Sequence, residues 1–251
     1  MNSEDSLMQQ YFVPEREYFE KTFELFDPND IKPNKVSFLI GEKAVGKTTL
    51  TKYLISKRND NVPIYCFSLD DCTAKYFNAI YVKPTRENLE KLINDQGTRV
   101  FENIRKDAIT GTKANTDIIV IMEHVNCTKL FDSPEFLDLL TNNRVYDISL
   151  FIEVQWMSSN LNSKFSKYFD YVFIFSGVGG HFESIYNYFF NTGLFGGPSA
   201  FKKMLTKHLT HHDCIVFNNT KLVNCFSRYS VKPNEIDETN EINETNEPNK
   251  P

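Results

Sequence analysis

The stretch Gly41-Glu42-Lys43-Ala44-Val45-Gly46-Lys47-Thr48 decides how this chain reads. It has a glycine, four residues, then Gly-Lys-Thr, the spacing of a phosphate-binding loop. The apolar run 36–40 enters it and a helix-compatible run, 49–58, leaves it. Both flanks matter physically. A strand delivers the loop, its exposed N–H groups wrap a phosphate, and the following helix N-terminus adds partial positive charge. On that pattern, residues Gly41, Glu42, Lys43, Ala44, Val45, Gly46, Lys47, Thr48 and Thr49 form the nucleotide cradle. Lys47 reaches the β- and γ-phosphates of a triphosphate such as ATP, and the Thr48 hydroxyl sits on Mg²⁺. The competing reading is a plain glycine turn between a core strand and a surface helix.

Outward from the loop, strands alternate with helices. Strands are predicted over 36–40, 63–68, 77–82, 117–122, 147–154 and 171–175. Helices are predicted over 49–58, 87–93, 98–108, 134–140, 182–190 and 198–209. A hairpin follows, 215–217 and 222–226 about Asn218-Asn219. Several strands are apolar throughout, which argues a mostly parallel sheet covered by helices on both faces. The expectation is an α/β fold of the P-loop NTPase kind with a C-terminal β-hairpin.

The ends differ from the middle. Residues 14–26 suit a short amphipathic helix with Phe19, Phe23 and Phe26 on one face, so 1–30 reads as an N-terminal helical extension. Residues 31–229 form the nucleotide-binding domain. Residues 230–251, rich in Asn and Glu, have too little apolar surface to offset ordering entropy and read as a disordered acidic tail. Its stretch 234–251 holds the whole acidic excess. The chain has 28 basic and 33 acidic side chains and a net charge of −5, and 27 of each remain before residue 234. The body is therefore neutral, and affinity for nucleic acid must come from local patches. The 5 cysteines are scattered and read as reduced thiols. No apolar run reaches membrane-spanning length. The polar start is not a signal peptide, which points to an intracellular or virion setting.

Hydrolysis needs more than a loop: an acid at a neighbouring strand's tip and a group that orients the attacking water. Glu123 follows the aliphatics Ile118-Ile119-Val120-Ile121 and Met122, and so falls at the carboxyl edge where ligands of open α/β sheets sit. His124 stands beside it. Gln155 is the polar tip of the next strand, placed to sense the γ-phosphate or to cap the strand. Arg144 precedes that strand and falls at the opposite, amino edge. It reads either as a surface turn residue or as a group that reaches a neighbouring subunit's phosphates in a ring.

With these parts in this order, the chain resembles the virion DNA-packaging ATPases of large double-stranded DNA viruses, of poxvirus type, within the FtsK–HerA class of ring motors. The likeness runs from about Lys35 to Cys225. It rests on the loop, 118–125, the helix end Leu139-Leu140-Thr141-Asn142-Asn143-Arg144, 148–155, 170–175 and 214–218. It implies that Lys47 and Thr48 bind phosphate and magnesium, Glu123 is the magnesium-side acid, Gln155 the sensor and Arg144 the intersubunit arginine. It further implies ATP and Mg²⁺ as cofactors, double-stranded DNA as partner, a homo-oligomeric ring, capsid or portal-vertex contacts, and a place in the virion or the host-cell cytoplasm. The chain departs from the family at Glu42, Lys43 and Ala44, at Glu123-His124 in place of two acids, at Val145, and at Lys167. The Glu-His pair keeps a second reading open, a catalytically weak nucleotide-binding scaffold. A nucleotide kinase would need an arginine-rich lid, which is absent.

Weaker signals remain. His208, His211, His212 and Cys214 suggest zinc but lack a second ligand pair. Lys202, Lys203, Lys207 and His208 make a basic helix end, which suits either DNA phosphates or the helix's own C-terminus. Lys164, Lys167 and Tyr168 form a small basic-aromatic group. Asp70 and Asp71 end the second strand near the phosphate edge.

Overall fold

Strand Val36–Ile40 is buried at every one of its residues, so it must lie inside a sheet covered on both faces. The computed structural model describes residues 23–58, 62–112, 114–125, 129–157, 163–190, 197–210, 212–221 and 226–231. Their strands are β1 (Glu24–Leu25), β2 (Val36–Ile40), β3 (Ile64–Phe67), β4 (Ile80–Val82), β5 (Ile118–Glu123), β6 (Ile148–Val154), β7 (Tyr171–Phe175), β8 (Asp213–Asn218) and β9 (Phe226–Ser230). The helices are α1 (Lys47–Ser56), α2 (Cys72–Tyr76), α3 (Arg86–Thr110), α4 (Pro134–Asn142), α5 (Phe182–Phe189) and α6 (Pro198–His208). Among these residues no helix is long and apolar enough to cross a membrane.

The strands form one sheet in the order β1-β9-β8-β7-β2-β6-β5-β3-β4. Neighbours from β7 to β4 are parallel, while β8 runs antiparallel to both β7 and β9. This is the expected parallel sheet with a C-terminal hairpin. Alternating side chains feed two cores. Val36, Phe38 and Ile40 join Val120, Leu150 and Val172 under α3 to α6. Leu39, Ile121, Phe151 and Phe173 join α1 through Leu50 and Leu54, and α2 through Ala74. In α1 the buried set Lys47, Leu50, Thr51 and Leu54 follows the helical period and turns one stripe to the sheet.

Several elements differ from the sequence reading. The N-terminal helix over 14–26 does not extend to its end. Glu24–Leu25 is a strand beside β9, and Phe26 packs edge-on to Phe173. Residues 14–22 of that helix and 232–251 of the acidic tail lie outside the described residues; the first two tail residues are ordered instead, Ser230 ending β9 and Val231 buried beside Gly46. The two helices over 87–93 and 98–108 are one 25-residue helix, α3. Gly97 lies inside it, with the ring of Tyr146 packed 3.4 Å from where its side chain would begin. The run 77–82 is strand only from Ile80. Ahead of it α2 forms, and Asp70 and Asp71 serve that helix: Asp70 Oδ1 accepts from the Cys72 amide and Asp71 pairs with Lys75. Of the hairpin's expected second strand, 222–226, residues 222–225 lie outside the described residues, and β9 is described from Phe226 to Ser230.

Candidate nucleotide site

The loop takes left-handed backbone at Ala44 and Gly46, and Gly41 serves a different need. A side chain at Gly41 would start 2.6 Å from Phe175 Cβ, so β7 leaves room for hydrogen only. Gly46 has φ 101° and caps α1 with no side chain bonded to the helix's first amides. Those amides therefore point outward, toward whatever occupies the loop. Lys47 is buried, and its ammonium donates to the carbonyls of Gly41 (2.8 Å) and Glu42 (2.7 Å). Burial pushes the Lys47 pKa down, against the pull of Glu153 and Glu123, which raise it.

The strand order sets what faces this lysine. β6 lies between β2 and β5, so its carboxyl end falls between the loop and Glu123. Glu153 is in register with Leu39 on one side and Glu123 on the other. It is 1% exposed, and its Oε2 accepts from the Thr48 hydroxyl at 2.8 Å. Its Oε1 is buried without a well-formed hydrogen bond. Burial raises the Glu153 carboxyl to about 7, with hydroxyls of Thr51 and Thr48 opposing and the Glu123 charge adding to the rise. Glu123 accepts from the Thr73 hydroxyl of α2. At the tip, the side chains of Gln155 and His124 are hydrogen-bonded, Nε2 to Nε2, at 2.7 Å.

Lys47, Thr48, Glu123 and Gln155 thus share the carboxyl edge of the sheet, as the sequence places them. Arg144 lies at the other edge. Its guanidinium donates to Asp170 Oδ1 at 2.7 Å, and Lys35 shares that oxygen at 3.0 Å. The second oxygen, Oδ2, accepts from the Val36 amide. The cleft there is about 530 Å³, and its walls include Lys35, Arg144, Lys167 and Thr220. Arg144 remains 62% exposed despite its ion pair. The sequence reading missed Glu153 and Asp170. Glu153 carried a signal: it is the one charge in a strand that is apolar but for Ser149, and a charge on a doubly covered strand is costly unless something needs it.

Comparison with solved structures fits this geometry. The genome packaging NTPase B204 from Sulfolobus turreted icosahedral virus 2, in complex with AMPPCP, matches with a TM-score of 0.57 at 16% identity, over 81% of this chain and 100% of that one. The pCW3 conjugation coupling protein TcpA with ATPgS matches at 0.54 and 12% identity, over 94% of this chain and 76% of that one. The cytoplasmic domain of the Thermomonospora curvata Type VII secretion ATPase EccC matches at 0.51 and 12%, over 90% and 31%. This chain has the P-loop NTPase fold. No protein-family profile matches the sequence, and no curated protein sequence does.

The other sequence signals fare less well. Among the described residues no cluster of His, Cys, Asp or Glu suits a metal, and His211 lies outside them. His208 packs edge-on to Phe23 and Cys214 is buried in β8, so the zinc reading is not supported. In the basic-aromatic group, Lys167 lies over the Tyr168 ring, 4.9 Å from its centroid.

Magnesium fits the donor set at the carboxyl edge. Hydroxyl and carboxylate oxygens are the hard ligands it takes, and it usually keeps only one or two protein carboxylates beside phosphate oxygens. The buried Glu153 Oε1, without a well-formed hydrogen bond, is a further hard oxygen at that edge.

Proposed function

We propose that this protein is an ATP-hydrolysing motor subunit, acting in a ring, that packages viral double-stranded DNA into capsids. One observation carries the reading. A loop able to hold triphosphate, an acid and a glutamine occupy one sheet edge, while an exposed arginine flanks the amino end of the same β6. Such a subunit offers its nucleotide at one edge and an arginine at the other, so a ring brings the two together.

In this reading the loop amides from Gly41 to Thr49 cradle the phosphates, and Lys47 leaves the carbonyls of Gly41 and Glu42 to meet the β- and γ-oxygens. Thr48 and Glu123 hold magnesium, whose part is to neutralise charge on those oxygens. Gln155 exchanges His124 for the attacking water and aligns it with the γ-phosphate. Arg144 of one subunit leaves Asp170 and offsets the charge that develops in its neighbour, a contribution of several powers of ten in rate. We assign 31–229 to this ATPase unit, and DNA, capsid or portal proteins as partners in the virion or host-cell cytoplasm.

A second reading has its own observation. Gln155 is bonded to His124, which occupies the amide that the motor reading aims at the attacking water, so a weakly hydrolysing nucleotide-bound scaffold also fits. Phosphate release by the wild type and Lys47→Ala, with and without double-stranded DNA, separates the two. The motor predicts Lys47-dependent turnover that DNA stimulates. Nucleotide affinity without turnover selects the scaffold, and His124→Asp then raises the rate.

A further inference from the structure

Glu153 is a carboxylate that the sheet hides almost completely, at 1% exposure. Removing a carboxylate from water is expensive unless a counter-charge and hydrogen bonds compensate. Here the protein supplies little. One oxygen accepts from the Thr48 hydroxyl, the other has only the nearby Thr51 hydroxyl with no well-formed hydrogen bond, and no ion pair involving Glu153 occurs among the described residues. Lys47 is close enough to influence it, but its ammonium is committed to two backbone carbonyls. Buried groups left unmet in this way call for a specific explanation.

The spacing suggests one. Octahedral magnesium binds oxygen at 2.0–2.1 Å, so adjacent ligands lie about 2.9 Å apart. Thr48 Oγ1 and Glu153 Oε2 stand 2.8 Å apart. They already have the separation of two neighbouring ligands on one such ion. The register pairing of Glu153 with Glu123 sets a second carboxylate on the adjoining strand, on the same face of the sheet.

We propose that Glu153 is a magnesium ligand of this site, adjacent to Thr48, so that Glu153 and Glu123 together form the acid pair that Glu123-His124 lacks in sequence. The assignment rests on the nucleotide-binding reading above. In the nucleotide-free protein the Thr48–Glu153 hydrogen bond holds both side chains in place, where they would ligate the cation that arrives with phosphate.

The test is Mn²⁺ binding, followed by electron paramagnetic resonance, to the full-length protein with a non-hydrolysable ATP analogue. Wild type, Glu153→Gln and Glu153→Asp are compared, with analogue affinity in EDTA measured in parallel. Glutamine keeps a hydrogen bond to Thr48 but not the charge, so a purely structural role leaves Mn²⁺ affinity unchanged. The proposal predicts Mn²⁺ binding weakened by about 10- to 100-fold in Glu153→Gln, intermediate binding in Glu153→Asp, and unchanged analogue affinity in EDTA. Equal Mn²⁺ affinity in wild type and Glu153→Gln overturns the assignment and spares the nucleotide reading. Failure of the wild type to bind the analogue, with or without metal, overturns both. Should Glu153→Gln fail to fold, Glu153→Asp decides: wild-type Mn²⁺ affinity counts against the proposal and weakened affinity for it.

Discussion

Replacing Glu153 by glutamine should stabilise the metal-free, nucleotide-free protein, and by an amount that depends on pH. Burial lifts the folded-state carboxyl from 4.5 to about 7. Between those values the unfolded chain has lost its proton and the folded chain keeps it. The unfolded state therefore binds fewer protons, and stability falls as pH rises through this window. The gap corresponds to about 3 kcal/mol. It is absent below about pH 4, where both states are protonated, and complete above about pH 7, where both are ionised. Glutamine stays neutral throughout and still reaches Thr48. Urea denaturation in EDTA at pH 4.5, 6, 7 and 8 reads the difference directly, since other groups titrate alike in both proteins. The variant should match the wild type near pH 4.5 and exceed it by about 3 kcal/mol at pH 8. A difference that stays constant with pH would refute the claim that a buried, destabilised carboxylate sits behind Thr48.

The other expectations concern loop, arginine and helix. Gly41→Ala forces a methyl against Phe175, so it should lower stability by about 1–3 kcal/mol and weaken nucleotide binding, read by thermal unfolding and by titration with a fluorescent ATP analogue. Arg144→Ala should reduce turnover by about 10³-fold or more while leaving nucleotide affinity near wild type; equal turnover would return Arg144 to a surface ion pair with Asp170. Gly97→Ala meets the Tyr146 ring at 3.4 Å, an ordinary contact. It should raise stability by about 0.5–1 kcal/mol through helix propensity, measured by urea denaturation.

Much of this fold is legible in sequence because its central strands are apolar on both faces. The runs of β2, β5, β6 and β7 announce themselves without alternation, and their polar tips, Glu123 and Gln155, stand out at the ends. Strand order leaves no such mark. That β6 lies between β2 and β5 is a pairing between strands distant in sequence, and this placement is what turns Glu153 from a strand-interior residue into a neighbour of Thr48. Tertiary contact also overrode local signals. Gly97 suggests a break, yet Tyr146 packs against it inside a continuous α3. At the amino edge, Asp170 gathers Arg144, Lys35 and the Val36 amide across long separations in sequence that periodicity cannot register.

The most direct test is a crystal structure with a non-hydrolysable ATP analogue and magnesium. The account predicts β- and γ-phosphates held by the amides of residues 42–48, with Lys47 Nζ moved from the Gly41 and Glu42 carbonyls onto phosphate oxygens and Glu123 and Gln155 facing the γ-phosphate. Phosphates bound elsewhere, or a Lys47 still tied to those two carbonyls with nucleotide present, would contradict it.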